Sequence, residues 1–172
     1  MQAFDLAVVA DAIPMTPPPG FTELYNRYSA AVYRTALRIT GNPADAEDAL
    51  QTVFLRVLNH EEKLDHGGPL EPYFRRAATN AGLDILRRRS TRAEARLNDQ
   101  APHAAPDSPL FLKERLRRAI AKLSPRDAEM FALRYIVGLS NIELGEAFGM
   151  ESSSIAVRLH RIRHSLQQEM ER

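Results

Sequence analysis

The sequence contains no cysteine, and this absence excludes disulfide bonds, a thiolate zinc site and a cysteine nucleophile. It also has no apolar run long enough to span a membrane. The first 20 residues carry acids but lack the basic segment that opens a secretory signal peptide. A chain without disulfides suits the reducing cytoplasm. We therefore expect a cytoplasmic protein that does not insert into a membrane.

Glycine is scarce, with 8 residues in a chain of 172, and no stretch alternates polar and apolar residues as a strand would. The long segments between helix breakers instead repeat apolar residues every three or four positions, so the sequence predicts an all-α fold. Prolines predict a flexible leader over residues 1–20 and a flexible linker over 97–110. The linker would join two small helical domains, residues 21–96 and 111–172.

Residues that carry catalysis or bind metals form no recognisable motif. The five histidines, at positions 60, 66, 103, 160 and 164, show no metal-binding spacing with acidic residues. The chain has no Gly-rich phosphate loop and no nucleophile motif. An enzyme is therefore the least supported function, and we expect no metal and no cofactor.

The net charge of +1 conceals a separation of charge along the chain. Residues 43–62 hold five acids and one arginine, whereas residues 75–96 hold seven arginines and two acids. Residues 158–164 add three arginines and two histidines. An acidic segment followed by two basic ones indicates two kinds of partner, one basic and one polyanionic. Ordinary solvated helix surfaces are the alternative.

The second predicted helix, which follows the cap Asn42, has an outer face that combines acids with leucines. An exposed face of this kind favours docking on a basic helical partner. A helix buried on all its sides is the alternative. The outer stripe is formed by Asp45, Asp48, Gln51, Leu55 and Leu58.

The third predicted helix, from about residue 73 to 89, combines aromatic and basic residues. Tyr73 and Phe74 stand at its start, and Asn80, Asp84 and Arg87 follow at helical spacing. Aromatic rings stack on unpaired bases while arginines bind the backbone, so this helix indicates binding of single-stranded nucleic acid. The alternative places the aromatic residues in the core.

The C-terminal segment has the pattern of a helix-turn-helix. Ser140 and Glu143 form a capping box, Gly149 supplies the turn, and Ser152 is the expected cap of the second helix. Small polar residues open that helix where base edges would lie, and arginines that suit phosphates follow. The outer residues are Ser153, Ser154, Val157, Arg158, Arg161 and Arg163. A plain helical hairpin with a basic face is the alternative.

Taken in order, these segments resemble the extracytoplasmic-function sigma factors of bacterial RNA polymerase, a group of the sigma-70 family. NPADAEDALQTVFLRVL is similar to region 2.2, and PYFRRAATNAGLDILRRR is similar to regions 2.3–2.4. LSPRDAEMFALRYIVGLSNIELGEAFGMESSSIAVRLHRIR is similar to region 4. The likeness covers about residues 21–96 and 112–166 and implies a region 2 helical bundle followed by a region 4 helix-turn-helix.

The resemblance also implies partners for the acidic helix and for region 4. Core RNA polymerase would bind region 2 through its β′ clamp, and region 4 would read the −35 promoter element and touch the β flap. A regulatory anti-sigma factor is a further expected partner. The residues implied to dock on the clamp are Asp45, Asp48, Gln51, Phe54 and Leu55.

For the third helix, the resemblance implies capture of the opened −10 promoter element. Asn80, together with loop 61–71, would hold a flipped base, and arginines would hold the strand backbone. The residues implied to bind this element are Tyr73, Arg76, Asn80, Arg87 and Arg88.

Two other functions stay open at this point. One is a sigma-like mimic that binds an anti-sigma factor and does not touch DNA. Such a mimic has no need for the arginines of residues 87–92, nor for those of the second helix of the helix-turn-helix. A helix-turn-helix regulator with an unrelated N-terminal domain leaves the acidic helix unexplained. We therefore expect an alternative-type sigma factor that directs core polymerase to specific promoters and helps to open the −10 element.

Overall fold

The computed structural model describes residues 20–59, 69–95 and 108–171. Within these ranges the chain forms seven α-helices and no strand, which confirms the predicted all-α fold. The predicted leader and most of the predicted linker lie outside the described residues. The helices are α1 (Phe21–Thr40), α2 (Pro43–Leu58), α3 (Glu71–Ala95), α4 (Pro109–Lys122), α5 (Pro125–Ala132), α6 (Asn141–Phe148) and α7 (Ser152–Glu171).

Several helices begin where side chains satisfy the free N–H groups of the first turn. The side-chain oxygen of Asn42 accepts hydrogen bonds from the backbone N–H groups of Ala44 and Asp45. Ser124 does the same for the N–H of Asp127 at the start of α5. A proline follows each of these caps, at the first helical position, where no N–H is required. The predicted cap Asn42 is thus confirmed, and Ser124 caps α5 as the sequence Ser-Pro at its start predicts.

Helices α1, α2 and α3 enclose a first core centred on Phe74. The Phe74 side chain is 1% exposed, and its ring centroid lies 4.4 Å from that of Tyr28 and 5.5 Å from that of Phe54. Val32 and Ala78 complete the centre, buried as their helical spacing predicts. Phe74 is therefore a core residue.

Helices α4 to α7 contribute to a second core. Its interior includes Met130, Leu133 and Leu144, each no more than 1% exposed. Helical spacing predicts that four apolar residues of α7 share one inner arc, and all four are buried. They are Ile155, Leu159, Ile162 and Leu166.

Helix α5 passes into a single π-helical turn, Leu133–Val137, that the sequence did not reveal. The N–H of Gly138 donates to the carbonyl of Leu133, five residues earlier, at 3.0 Å. Because this turn is wider than an α-helical one, its side chains leave the α-helical period. Helical spacing from Phe131 predicts Tyr135 on the inner side, but Tyr135 is 44% exposed. The apolar stripe of Leu112, Leu116 and Ile120 likewise predicts Leu112 on an inner face, but it is 47% exposed in the first turn of α4.

The two helical units pack directly against each other. Ile39 of α1 and Leu83 and Leu86 of α3 belong to the same buried cluster as the core residues of α4 to α7. Arg117 of α4 donates from Nε to the carbonyl oxygen of Ile39 at 3.1 Å. The same guanidinium fills the space beside Gly41 that a Cβ atom would need. The units predicted from composition are therefore joined by a shared core.

We expect Phe74→Ala to lower the free energy of unfolding by roughly 3–5 kcal/mol, because a large side chain is removed from a closed site. Ile142→Ala is the control, since Ile142 is 68% exposed, and its effect should stay within about 0.5 kcal/mol. Urea unfolding followed by circular dichroism measures both variants. Equal midpoints for the two would contradict the placement of Phe74.

Candidate nucleic-acid and partner interfaces

Asp48, Gln51 and Leu55 lie together on the solvent-facing side of α2. All three residues are exposed, and Leu55 is 43% exposed although it is a large apolar residue. The spacing of three and four residues brings their side chains onto one face of the helix. This face, the α2 docking surface, offers apolar area beside a negative charge, which suits a partner that is basic around an apolar contact.

The other two residues expected on the α2 docking surface have different positions. The Asp45 carboxylate accepts a hydrogen bond from Arg89 Nη1 at 2.7 Å and so ties α2 to α3. Phe54 is only 4% exposed, because its ring packs in the first core. The resemblance implied Phe54 at the docking surface, but its buried position places it beneath that surface, which it supports from below.

Tyr25 of α1 is an exposed aromatic residue that sequence reasoning missed. Its ring centroid lies 4.8 Å from that of Phe54, and the residue is 41% exposed. Phe21 precedes it by one helical turn, with the two ring centroids 6.3 Å apart. This pair of aromatic residues at helical spacing was the signal in the sequence. It extends the exposed apolar area from α2 onto α1.

Arg76 and Asn80 of α3 converge on one carboxylate, that of Glu129 in α5. Arg76 Nε donates to Glu129 Oε1 at 2.5 Å, and Arg76 Nη2 lies 3.5 Å from Oε2. Asn80 Nδ2 donates to the same Oε1 at 3.1 Å. Arg76 Nη1 also donates to the backbone carbonyl of Ala147 at the end of α6, at 3.1 Å. Two residues expected to bind DNA are thus engaged by the C-terminal unit.

The remaining residues expected to bind the −10 element lie elsewhere on α3. Tyr73 is half-buried against Phe74, with ring centroids 5.1 Å apart, and its buried hydroxyl has no partner among the described residues. Arg87 Nη1 donates to Asp84 at 2.9 Å. Arg88 is exposed. Arg87 and Arg88 follow Asn80 by about two helical turns, roughly 10 Å along the axis, and most of loop 61–71 lies outside the described residues.

The helix-turn-helix begins with the predicted capping box. Ser140 Oγ accepts the N–H of Glu143, and Glu143 Oε2 accepts the N–H of Ser140 at 2.7 Å. The hydrogen bond from the Ser140 backbone, followed by that from its hydroxyl, lowers the pKa of the exposed Glu143 carboxyl. The Glu143 carboxyl of the capping box is therefore ionised at neutral pH.

The turn between α6 and α7 depends on two glycines for different reasons. Gly149 has φ 63°, the left-handed conformation that ends a helix most easily with glycine. A Cβ atom on Gly145 would lie 2.5 Å from the carbonyl oxygen of Met150. A glycine inside a helix predicts the close approach of another segment, and here that segment is the backbone of the turn and not a neighbouring helix. Ser152 is the first residue of α7 and not its cap, since the carbonyl of Glu151 accepts the N–H of Ile155.

The outer face of α7 carries the residues expected to read DNA. Ser153, Ser154, Val157 and Arg161 are exposed and line one open groove. Val157 is 54% exposed and adds an apolar side chain to this face. Arg163 is also exposed but does not line this groove. The helix therefore presents a polar face with one apolar contact, of a width that suits the DNA major groove.

Arg158 lines the same groove but is held by another helix. Its Nε donates to Asp127 Oδ1 at 2.7 Å, and the Ser124 hydroxyl donates to Asp127 Oδ2 at 2.8 Å. The guanidinium thus has a set position beside the exposed serines, with its other nitrogens free to meet a phosphate. This role of Asp127 could not be predicted from the sequence, because Asp127 lies 31 residues from Arg158.

In the ranges that the structure describes, no three histidine, cysteine, aspartate or glutamate residues are arranged to hold a metal ion. None of the described helices is long and apolar enough to cross a membrane.

Comparison with known proteins finds a family match for each of the two helical units. The family model for Sigma-70 region 2 matches residues 24–92, and that for Sigma-70 region 4 matches residues 113–166. The chain is 33% identical over 156 residues to the ECF RNA polymerase sigma factor SigE of Mycolicibacterium smegmatis, covering 86% of this chain and 60% of that protein. It is 33% identical over 145 residues to the RNA polymerase sigma factor CarQ of Myxococcus xanthus, covering 82% and 83%.

This chain belongs to the extracytoplasmic-function sigma factors. These proteins are transcription initiation factors, which direct RNA polymerase to promoters. The fold is also similar to that of the sigma factor RpoE of Bartonella quintana, solved in complex with the anti-sigma factor NepR. That likeness has a TM-score of 0.50 at 20% identity and covers 88% of this chain and 96% of the other.

The two family models place the helices within the sigma factor. Region 2 comprises most of α1 to α3, with the α2 docking surface, Arg76 and Asn80. Region 4 comprises most of α4 to α7, with Glu129 and the outer face of α7. The contacts of Glu129 with α3 therefore join region 4 to region 2 of the sigma factor.

We expect Arg158→Ala to lower the affinity of the full chain for any duplex DNA about equally, because a phosphate contact carries no sequence information. The plot of log affinity against log salt should become shallower by about one unit. Fluorescence anisotropy on a promoter duplex and on a scrambled duplex, each over a salt series, measures both effects.

Arg118→Ala is the matched control, since the Arg118 side chain is 61% exposed on α4 and lies outside the groove. It removes the same charge and should leave the salt dependence close to that of the parent. An unchanged slope and affinity for Arg158→Ala would exclude the DNA contact.

Proposed function

We propose that this sigma factor recruits core RNA polymerase through region 2, opens the −10 element with α3, and reads the −35 element with α7. It acts in the cytoplasm, where polymerase and promoters are, and has no catalytic activity of its own. The observation that supports this most is the order of the two sigma-70 regions along one chain, each with an exposed face suited to its partner.

The α2 docking surface supports the polymerase contact. Asp48 and Leu55 are exposed on one face of α2, about two helical turns apart, and the buried Phe54 fixes the helix beneath them. Burial of a leucine stabilises a complex by about 1.5–3 kcal/mol, and the neighbouring charge selects the partner and its orientation. We propose the β′ clamp as this partner and the β flap as the partner of region 4.

The polar residues of α3 support capture of the −10 strand. Arg76 and Asn80 both donate to one carboxylate oxygen, which supports a shared site for an acceptor. Guanidinium groups bind phosphates, and amides pair with base edges. Arg87 and Arg88 would continue the contact with the strand backbone along the helix.

Regulation by an anti-sigma factor is part of the proposal. The similar sigma factor RpoE of Bartonella quintana was solved with such a partner, NepR. A sigma-like mimic and a separate helix-turn-helix regulator are not favoured, because both leave one of the two matched regions without a purpose.

We expect Asp48→Arg to weaken binding to core polymerase by at least about tenfold, since it brings like charges together. Leu55→Asp should weaken it as well, because it removes the apolar contact. Titration of labelled protein with purified core polymerase measures the affinity, with helicity checked by circular dichroism. Glu151→Arg makes the same charge change at an exposed residue beside α7 and should bind normally. Parent-like affinity for Asp48→Arg would remove α2 from the interface.

We expect the double variant Arg87→Ala with Arg88→Ala to reduce open-complex formation on duplex promoters, because fewer cations hold the separated strand. Permanganate footprinting of holoenzyme on a promoter measures strand opening. A promoter with a pre-melted −10 bubble should restore much of the activity if melting is the impaired step. Matching footprints for the variant and the parent would contradict the role of α3.

A further inference from the structure

Glu129 is a buried carboxylate whose partners belong to region 2. The residue is 8% exposed and lies on α5, in region 4. Its side-chain oxygens accept hydrogen bonds from Arg76 and Asn80, 53 and 49 residues away along the chain. Burial of a carboxylate is costly unless it is paired and hydrogen-bonded, and these two residues supply that compensation.

The contacts of Glu129 reproduce the chemistry of a nucleic-acid ligand. An arginine and an amide N–H converge on one anionic oxygen, as they do on a phosphate oxygen or a base acceptor. Arg76 is drawn further into region 4 by the Ala147 carbonyl, and its guanidinium carbon lies 5.2 Å from the centre of the Phe148 ring. Although 45% of the Arg76 side chain stays exposed, its hydrogen-bonding nitrogens point to region 4.

Apolar and polar contacts beyond Glu129 hold region 4 in this position. Leu83 and Leu86 of α3 and Ile39 of α1 are buried in the core that region 4 shares. Arg117 adds its hydrogen bond to the Ile39 carbonyl. The carboxylate is therefore part of a packed interface between regions 2 and 4.

The packing of region 4 on α3 leaves one proposed DNA-binding surface exposed and occupies the other. The outer face of α7, with Ser153, Ser154 and Val157, is exposed while region 4 lies on α3. Arg76 and Asn80 are engaged at the same time. The closed arrangement thus leaves the −35 surface available and occupies the −10 surface.

We propose that Glu129 is an internal competitor for the −10 strand, which occupies Arg76 and Asn80 in the free protein and is exchanged for DNA when region 4 moves away. This inference rests on the proposed function of α3. It adds that the free sigma factor binds single strands weakly because its own carboxylate fills the site, and that separation of regions 2 and 4 is required for strand capture.

The first test measures binding of the full chain to a fluorescein-labelled pool of single-stranded DNA of random sequence by anisotropy. Glu129→Gln retains the size of the side chain but removes its charge. We expect the affinity for single-stranded DNA to rise roughly threefold to tenfold. This is the gain expected if the site is open in about a third to a tenth of the parent molecules and in all molecules of the variant.

Two variants separate loss of the contact from loss of charge. Glu146→Gln removes one charge from the same groove between the regions, where Glu146 is exposed, and should leave the affinity near that of the parent. Glu129→Asp keeps the charge but withdraws it by one methylene, and its affinity should rise in the same direction as that of Glu129→Gln. If Glu129→Gln binds no better than Glu146→Gln, the proposal is wrong.

The increase in affinity for single-stranded DNA must also depend on Arg76. We expect Arg76→Ala combined with Glu129→Gln to lose the increase, since the released site is then absent. Persistence of the increase in this double variant would overturn the proposal, because the effect would come from another part of the surface.

A second measurement follows the separation of the regions. The chain has no cysteine, so spin labels attach only to introduced ones. Glu47→Cys and Ser165→Cys place them on exposed positions of α2 and α7. Distances from double electron–electron resonance should become longer and broader with Glu129→Gln and stay unchanged with Glu146→Gln.

The two readouts distinguish this inference from the proposed function. If the labels separate and the affinity for single strands stays flat, Arg76 and Asn80 do not bind DNA, and both proposals fail for those residues. If Arg87→Ala with Arg88→Ala impairs promoter opening while Glu129→Gln changes neither readout, the proposed function stands and the competition is refuted.

Discussion

Helix α3 is packed between two hydrophobic cores, and the positions of the candidate DNA surfaces depend on this packing. Phe74 and Ala78 anchor α3 within region 2, whereas Leu83 and Leu86 are buried with region 4. Arg76 lies on the same helix between these apolar contacts. Region 4 therefore cannot bury its share of α3 without approaching the polar residues beside it.

The charged residues divide into those tied to the helical framework and those left in solvent. The Asp45–Arg89 and Asp127–Arg158 pairs join neighbouring helices at 2.7 Å. Partly exposed pairs of this kind contribute about 0–1 kcal/mol each, so their main effect is to orient side chains. Asp48 stays exposed, and charged residues of this second kind are available to bind partners. The net charge of the chain, +1, reveals neither the paired nor the exposed charged residues.

The local parts of the candidate site could be read from the sequence. The cap Asn42, the box of Ser140 with Glu143 and the turn at Gly149 each depend on residues within a few positions of one another. Helical spacing also predicted which face of α7 is exposed. Phe54 was implied at the docking surface by the resemblance alone. It lies off the outer stripe that helical spacing gives for α2, and its ring is buried beside those of Tyr25 and Phe74.

What the sequence determined by itself is the set of helices, several of their ends, most of their inner faces and the order of the two sigma regions, since these follow from propensity and periodicity over one or a few turns. What only the tertiary structure decided is which exposed polar residues meet. Glu129 reaches Arg76 across 53 residues of chain. The sequence around each is compatible with a solvated surface, and only the packing of region 4 on α3 places the carboxylate against its partners.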